Sequence, residues 1–239
     1  MFQHFIITPF SFRRPYFVKG KFPDPLKPSI LKERFRIFEI ITLASLKAQE
    51  NQDFTLIIIV DPLLPKMYRK KFLEVTFGFK KVILHDFSKI VKQNTLTWLK
   101  PYVATETQFL IQTKIDADDA LFKGFTQYVQ DYYTALFTSG RLPPIHFTSG
   151  LNFIEWDFFQ TKNAPNGYLK APQKENDSYT ISSGLTFCCQ YPEMDISIMG
   201  IIHTFIGRVF QNHSANVELP PVIVRSEERR VGKECRSRW

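Results

Sequence analysis

The sequence predicts an α/β protein built on a mostly parallel sheet flanked by helices, with a mixed sheet extension in its second half. As far as residue 137, short apolar segments alternate with segments of helical periodicity, which is the pattern of βαβ units. One apolar segment ends at Val60 and does not alternate with polar residues, so we expect a strand buried on both faces. Beyond residue 137, strand-like stretches are separated by a polar loop, Thr161–Ser178, which indicates the mixed extension.

Each element can be placed along the chain. The pattern predicts strands at His4–Thr8, from Asp53 or Phe54 to Val60, at Lys81–Leu84 and at Phe109–Ile115. It predicts helices at Ile30–Gln49, Lys66–Glu74 and Ala120–Phe137, and strand-like stretches in Pro143–Trp156 and Tyr179–Cys189. The segment Thr8–Ser29 contains five prolines and is predicted to be an irregular connection.

Length and composition bound the class of protein. The 239 residues fit one large α/β domain, and the 24 phenylalanines predict a substantial core. The apolar segments are much shorter than the roughly 20 residues that span a bilayer, and Met1 leads into the first strand without the features of a signal peptide. We therefore expect a cytoplasmic location. The adjacent Cys188 and Cys189 are expected to be buried free thiols.

The last fifteen residues, 225–239, differ abruptly from the apolar segment before them. They read RSEERRVGKECRSRW, which resembles the in-frame translation of a sequencing adapter. We expect this tail to be non-native and residues 1–224 to be a single domain that is incomplete at its C-terminus. A natural basic tail is the alternative.

The charge of the chain depends on this tail. It contains six Lys and Arg and three Asp and Glu, so residues 1–224 hold 25 basic and 20 acidic side chains, a net charge of +5. Such a mildly basic domain suits a nucleoside diphosphate substrate or peripheral contact with an anionic membrane surface. Nucleic-acid binding is not expected, because the most basic stretch is the tail.

Three carboxylates directly follow the apolar segment that ends at Ile115. Asp116, Asp118 and Asp119 repel one another unless a cation compensates them. Ligands of open parallel sheets bind at the carboxyl ends of the strands, where Mg²⁺ or Mn²⁺ would bridge carboxylates and a diphosphate. The alternative is a solvated turn in which Asp118 or Asp119 caps the next helix.

The segment TKIDADDALF, which contains these carboxylates, resembles the corresponding segment of a family of bacterial rhamnosyltransferases. The segments HFIITPFS, ERFRIFEIITLASLKAQ and DFTLIIIVDPLLP match the same family in the same order, and two downstream segments match more loosely, so the resemblance extends over residues 2–208. It implies a GT-A-like fold, a nucleotide-sugar donor, a glycan or other hydroxyl acceptor, and Mn²⁺ or Mg²⁺ as the cofactor.

The resemblance also assigns roles to residues of the acidic segment. Asp118 and Asp119 correspond to the direct metal ligands, and Asp116 belongs to the same metal and diphosphate cluster. Lys114 stands where the family has arginine, so a point charge replaces a bidentate phosphate contact.

Three further residues have weaker assignments from the resemblance. Asp61 matches the position at which many such enzymes hold the nucleoside, although an Asp-Pro turn explains it equally well. Arg34 matches a family arginine of unassigned role, or is simply a surface residue of its helix. His203 is a candidate additional metal ligand, or a partly buried histidine.

Inverting transfer to a hydroxyl group needs a carboxylate that accepts the proton of the acceptor. The candidates lie in the second half of the chain, where acceptor loops are expected: Glu155, Asp157, Glu193 and Asp195. The sequence does not choose among them, and each can equally be a surface acid. Trp156 could stack on a sugar or belong to the core.

Two other functions stay open at this point. A nucleotidyltransferase or phosphohydrolase would use the same kind of sheet, but no glycine precedes Gly20 to form a phosphate loop, and the first strand does not end in Asp-x-Asp. A truncated, non-catalytic remnant is the other alternative.

Overall fold

The computed structural model describes residues 1–11, 24–87, 96–143, 145–150, 152–157, 168–169, 173–174, 184–193, 197–200, 214–217 and 222–225. The strands are β1 Phe2–Phe10, β2 Thr55–Val60, β3 Val82–Asp86, β4 Phe109–Lys114, β5 Ile145–Gly150, β6 Asn152–Asp157, β7 Tyr168–Leu169, β8 Gln173–Lys174, β9 Leu185–Gln190, β10 Ser214–Val217 and β11 Val222–Arg225. The helices are α1 Pro28–Ile37, α2 Ala44–Lys47, α3 Lys66–Val75 and α4 Phe125–Thr138.

Among the described residues, the main sheet has seven strands in the order β10-β5-β9-β4-β1-β2-β3. Strands β1 to β4 are mutually parallel, whereas β9 is antiparallel to both of its neighbours, β4 and β5. A second sheet contains β11, β6 and β7, and β8 also pairs with β6. The predicted fold class, a mostly parallel sheet flanked by helices with a mixed extension, is confirmed.

Both faces of the main sheet are covered, but differently. Helices α1 to α4 pack on one face, where they share a core with β1, β2 and β4. On the other face the sheet packs against residues 96–103 and against Ile198 and Met199. From β1 to β3 the chain moves in one direction, so right-handed crossovers place α1, α2 and α3 on the same face. The return from β3 to β4 reverses direction, and residues 96–103 lie on the opposite face.

Helix α1 begins at Pro28, whose fixed φ suits the first position of a helix. The helix continues through a π-helical segment, Phe38–Leu43, into α2, so the predicted helix over Ile30–Gln49 is present with a local widening. Strand β2 is buried along its entire length, as its apolar run predicts.

An aromatic cluster joins α1, α3 and β1. Phe72 of α3 lies 4.5 Å from Phe35, 4.9 Å from Phe10 and 6.0 Å from Phe38, measured between ring centroids. All four rings are fully or almost fully buried. Because Phe72 touches both the strand and the helix, it fixes α3 against the rest of this core.

We predict that Phe72→Ala lowers the free energy of unfolding by about 3–5 kcal/mol, because it leaves a cavity among three rings. Phe77→Ala is the matched control, since the Phe77 side chain is 85% exposed and little apolar area is lost. Urea unfolding of both variants measures the difference. Equal losses of stability would contradict the packing role of Phe72.

A buried chain of polar side chains connects α4 to β1, β4 and β9. Gln130 Nε2 lies 3.2 Å from His4 Nδ1, His4 Nε2 lies 2.9 Å from Thr113 Oγ1, and Thr113 Oγ1 lies 2.8 Å from Thr186 Oγ1. The Thr186 hydroxyl then donates to the carbonyl oxygen of Gly184 at 3.2 Å. Since the Gln130 amide can only donate to Nδ1, the neutral His4 ring carries its proton on Nε2.

Burial lowers the pKa of His4 from 6.5 to about 3, so the folded chain holds a neutral ring at neutral pH. In the unfolded chain the ring binds a proton near pH 6.5. The stability contributed by the neutral ring is therefore present above pH 6.5 and is lost as the pH falls towards 3.

We predict that acidification below pH 6.5 costs the native chain about 1.4 kcal/mol of stability per pH unit through His4. His4→Gln should be less stable than the native chain at pH 7 but should lack this part of the pH dependence. Urea unfolding between pH 7 and about 5, above the range in which most carboxylates titrate, measures the difference between the two proteins. Parallel stability profiles would show that His4 does not titrate on unfolding.

Cys188 and Cys189 are buried free thiols, as the sequence predicts. Burial raises the pKa of Cys188 well above its ordinary value, which keeps the thiol protonated and unreactive. Of the suspected tail, Arg225 ends β11 and pairs with Trp156 of β6, and the other residues lie outside the described part of the chain. The domain division at residue 224 stays a prediction.

Candidate active site at the carboxyl edge of the sheet

The parallel register brings the ends of four strands to one edge. Phe10 pairs with Val60, Val60 pairs with Asp86, and Ile7 pairs with Lys114. The residues that immediately follow these strands therefore share the edge where ligands of parallel sheets bind. This carboxyl edge is formed by Ser11 after β1, Asp61 after β2, Asp86 at the end of β3, and the acidic segment Asp116–Asp119 after β4.

The acidic segment is a tight turn directly beyond β4. The backbone N–H of Asp119 donates to the carbonyl oxygen of Asp116 at 3.2 Å, which closes the turn. Asp119 is buried, whereas Asp116 and Asp118 are half-buried. Lys114 is the last residue of β4 and is also half-buried, so one basic and three acidic side chains follow one another at this edge.

The interpretation of Asp118 or Asp119 as a helix cap is wrong, and so is the predicted start of the helix at Ala120. Helix α4 begins at Phe125, and Gly124 occupies its N-cap position without a side-chain hydrogen bond. Leu121 is buried in the core before the helix begins. The acidic turn is therefore separated from α4 and does not cap the free N–H groups of its first turn.

Gln49 caps α4 from outside the helix. Its Oε1 accepts from the backbone N–H of Thr126 at 3.1 Å, and its Nε2 donates to the carbonyl oxygens of Phe122 at 2.9 Å and Ser45 at 3.0 Å. The Ser45 hydroxyl also accepts from the N–H of Leu121 at 3.3 Å. Because Gln49 is buried and bonded on both sides, it fixes the chain between the acidic turn and α4.

The residues that follow Gln49 make further hydrogen bonds to the same loop, and we call the hydrogen bonds of Gln49 and these residues the Gln49 clamp. The N–H of Glu50 donates to the carbonyl oxygen of Lys123 at 3.0 Å, and the Thr126 hydroxyl donates to the carbonyl oxygen of Asn51 at 2.6 Å. The segment Gln49–Asn51 thus positions the end of the loop that carries the carboxylates. Sequence reasoning missed it, because a cap supplied by a distant residue leaves no local motif.

Ser11 adopts a left-handed backbone conformation with φ of 41° at the end of β1. This conformation is uncommon for residues with a side chain and recurs at binding sites. Ser11 is buried, and its Oγ accepts from Nη1 of Arg34 at 3.5 Å. The structure therefore brings Arg34 of α1, a residue singled out by the sequence, to the same edge as the acidic turn.

Asp61 ends β2 with a turn, as the Asp-Pro alternative predicts. Its Oδ1 accepts from the N–H of Leu63 at 2.9 Å, and its carbonyl oxygen accepts from the N–H of Leu64 at 3.0 Å. Asp61 is buried at the carboxyl edge, so its position agrees with the predicted nucleoside site, while its side chain also has a clear structural role. Whether it holds a nucleoside stays a prediction.

Arg69 ties the ends of β2 and β3 together. Its Nη2 lies 2.6 Å from Oδ1 of Asp86, and it also donates to the carbonyl oxygens of Asp61 at 3.1 Å and Pro62 at 3.2 Å. Sequence reasoning missed both residues. The sequence contains a signal for Asp86, because this carboxylate ends an apolar strand much as Asp61 follows one. Nothing in the sequence relates Arg69 to either strand.

The four base candidates do not lie together. Strand β9 runs antiparallel to β4, with Leu185 beside Lys114 and Gln190 beside Phe109. Glu193 therefore lies at the opposite edge of the sheet, where the parallel strands begin, which we call the amino edge. Strand β5 is parallel to β4 and leads into β6, which starts at Asn152 and contains Glu155 and Asp157. These two residues therefore follow a strand that ends at the carboxyl edge. Asp195 lies outside the described residues.

The predicted metal ligands are only partly visible. Asp118 and Asp119 lie in the acidic turn, whereas His203 is outside the described residues. Within the part of the chain that the structure describes, no three His, Cys, Asp or Glu side chains are arranged to hold a metal ion. A site here would need further ligands from a substrate or water, as Mg²⁺ sites with one or two carboxylates commonly have.

Comparison with protein families adds a decisive observation. The sequence profile of the family described as "Putative rhamnosyl transferase" matches residues 25–174, which is more than half of the chain. The chain belongs to this family. The match to the rhamnosyl transferase family includes the acidic turn, Asp61, Arg34 and Gln49, whereas Ser11 lies before the matched residues. Among curated proteins, no sequence matches the chain.

Solved structures show weaker similarity to this member of the rhamnosyl transferase family. The S. aureus TarS fragment 1–349 is 12% identical with a TM-score of 0.48, and the match covers 95% of this chain and 61% of that fragment. Mouse xyloside xylosyltransferase 1 is 11% identical with a TM-score of 0.42, over 91% of this chain and 85% of that one. HddC from Yersinia pseudotuberculosis is 12% identical with a TM-score of 0.44, over 99% of both chains. The chain thus spans about three fifths of the TarS fragment.

The Gln49 clamp gives a direct prediction. Gln49→Ala should lower the free energy of unfolding by about 1–3 kcal/mol, because it leaves the buried N–H of Thr126 without its partner and removes one of the two hydrogen bonds that the partly buried carbonyl of Phe122 accepts. Gln127→Ala is the matched control, since Gln127 is exposed on α4 and bonds only to side chains in the hydrogen bonds described for it. Denaturant unfolding compares the two. A loss as small as that of the control would show that the clamp is dispensable.

Proposed function

We propose that this protein is a metal-dependent glycosyltransferase that moves a sugar, rhamnose, from a nucleoside diphosphate donor to a hydroxyl group of a glycan or another acceptor. The observation that carries the proposal is the acidic turn Asp116–Asp119 at the carboxyl end of β4, within the segment matched by the rhamnosyl transferase family. The turn does not cap α4, which begins at Phe125.

The proposed cofactor is Mn²⁺ or Mg²⁺, with Asp118 and Asp119 as its ligands and Asp116 beside them. Carboxylate oxygens suit both ions, and two carboxylates suffice when diphosphate oxygens and water complete the coordination. When bound, the ion would neutralise the charge that develops on the leaving nucleoside diphosphate. The residues fit such an ion by the chemistry of their donor atoms, because the turn groups hard carboxylate oxygens at the edge of the sheet.

The donor would lie along the carboxyl edge between β2 and β4. Lys114 would contribute a positive charge towards the diphosphate, and Arg34 is held at the end of β1 by its contact with Ser11. Asp61 would contribute to the nucleoside pocket through its placement after β2. In this arrangement basic side chains contact the anionic part of the donor, and the buried strand ends exclude water around it.

The acceptor needs a carboxylate that takes the proton from its hydroxyl group as the new glycosidic bond forms. Glu155 and Asp157 are the better candidates, because β6 continues from the carboxyl edge on which the donor would lie. Glu193 is not proposed for this role, because the register of β9 places it at the opposite edge. Asp195 stays a candidate for the base, and His203 stays a candidate for an additional metal ligand.

The test is nucleotide binding and sugar transfer in the presence and absence of Mn²⁺. We predict that Asp118→Asn and Asp119→Asn each lower Mn²⁺-dependent transfer from a nucleoside diphospho-rhamnose at least about 100-fold, because each removes a charged metal ligand worth several kcal/mol to the transition state. Mn²⁺-dependent binding of the nucleoside diphosphate, measured by calorimetry, should weaken in parallel. Asp131→Asn, on the exposed surface of α4, is the matched control with the same change of charge.

Unchanged transfer in the Asp118 and Asp119 variants would contradict the metal role. Formation of a nucleotide sugar from a nucleoside triphosphate and a sugar phosphate would instead assign a nucleotidyltransferase. Nucleotide binding without any transfer would favour the non-catalytic alternative.

A further inference from the structure

The solvent-facing side of α3 combines apolar and basic side chains. Among the described residues, eight large apolar side chains are exposed, and four of them lie between residues 63 and 77. Their exposed fractions are high: Leu63 68%, Met67 71%, Leu73 71% and Phe77 85%. Met67 and Leu73 lie on α3, and Leu63 and Phe77 flank its two ends. Large apolar side chains exposed this close together indicate an interaction surface more often than scattered single residues do.

These residues form one face along the helix. Lys66, Lys70 and Leu73 follow the spacing i, i+4, i+7, and Phe77 continues it in the turn that closes α3. Phe72, the buried residue of α3, points into the aromatic cluster on the other side. We call the exposed side, which consists of Leu63, Lys66, Met67, Lys70, Leu73 and Phe77, the α3 face. Its length runs parallel to the sheet, from the carboxyl edge at Leu63 to the amino edge at Phe77.

The charge of this region is strongly basic. Residues 63–81 contain six Lys and Arg and one acidic residue, Glu74, a net charge of +5. Arg69 and Lys71 turn inward, since Arg69 bonds to Asp86 and Lys71 lies 2.5 Å from Glu39. Lys66, Lys70, Lys80 and Lys81 stay exposed, with Lys70 4.0 Å from Glu74.

We propose that the α3 face docks on the surface of an anionic lipid bilayer. Exposed Leu73 and Phe77 would enter the boundary between headgroups and acyl chains, while the lysines beside them contact anionic headgroups, which is how amphipathic helices lie on membranes. Each lysine near such a surface contributes about a fivefold gain in affinity at low ionic strength. The helix lies on the surface and does not span it, and no described helix is long and apolar enough to cross a bilayer.

The proposal rests on the surface of α3 alone and is independent of the proposed function. A hydrophobic partner protein or a second copy of the chain would need the apolar residues but not the lysines, and would be insensitive to lipid charge. Lys66 and Lys70 on the face, with Lys80 and Lys81 exposed beyond the end of α3 and Glu74 as the one acidic residue, favour the anionic surface. Charge complementarity distinguishes it from the other occupants.

The experiment is co-sedimentation of the full chain with vesicles of phosphatidylcholine alone and with vesicles of phosphatidylcholine and phosphatidylglycerol in equal parts. We predict binding to the anionic vesicles, weakened by salt, and little binding to the neutral ones. Lys66→Gln/Lys70→Gln should weaken binding by about 10- to 30-fold, and Leu73→Ser/Phe77→Ser should weaken it by at least about tenfold. Because all four side chains are exposed, circular dichroism and melting temperature should stay unchanged.

Lys100→Gln/Arg141→Gln is the matched control, since it removes the same charge from exposed positions outside α3. Its affinity for anionic vesicles should stay close to that of the native chain. Equal loss in this control would reduce the effect to net charge and overturn the proposal, as would absence of vesicle binding by the native chain. Self-association that Leu73→Ser/Phe77→Ser abolishes, without vesicle binding, would assign the face to a second copy instead.

Discussion

The parallel pairing of β1 with both β2 and β4 is the constraint on which the rest of the structure depends. It buries β1 between two neighbours and two cores, and its register decides which residues share an edge. A shift by one residue would turn the side chains of β1 to the wrong core and would move Ser11 relative to the acidic turn. The hydrogen-bonded chain from Gln130 through His4 to Thr113 opposes such a shift, because it joins α4, β1 and β4 at a single alignment.

The candidate site depends on supports that lie outside it. The Gln49 clamp fixes the residues that follow the acidic turn, and Arg69 joins the ends of β2 and β3. Both supports use buried or half-buried polar groups whose partners come from distant parts of the sequence. The chain thus places hydrogen-bonded structure under the edge where the proposed chemistry occurs, and leaves Asp116 and Asp118 partly accessible while Asp119 is buried.

Much of the first half could be predicted from the sequence, because its strands are continuous apolar runs and its helices have clear periodicity. The buried β2 and the placement of Asp116–Asp119 after β4 follow directly from this pattern. The start of α4 could not be predicted, since Leu121 and Phe122 continue the apolar periodicity although they pack outside the helix, and the cap comes from Gln49. The edge on which Glu193 lies depends on the antiparallel direction of β9, which a short apolar run does not encode.

The direction of β9 has a practical consequence. Because β9 carries the chain from the carboxyl edge to the amino edge, the exposed turn at Pro192 and Glu193 lies at the far end of the sheet from the acidic turn. A fluorophore, an affinity tag or a surface-immobilisation linker inserted there would leave the carboxyl edge open. The protein can thus be labelled or immobilised at this turn while ligand binding at the carboxyl edge is measured.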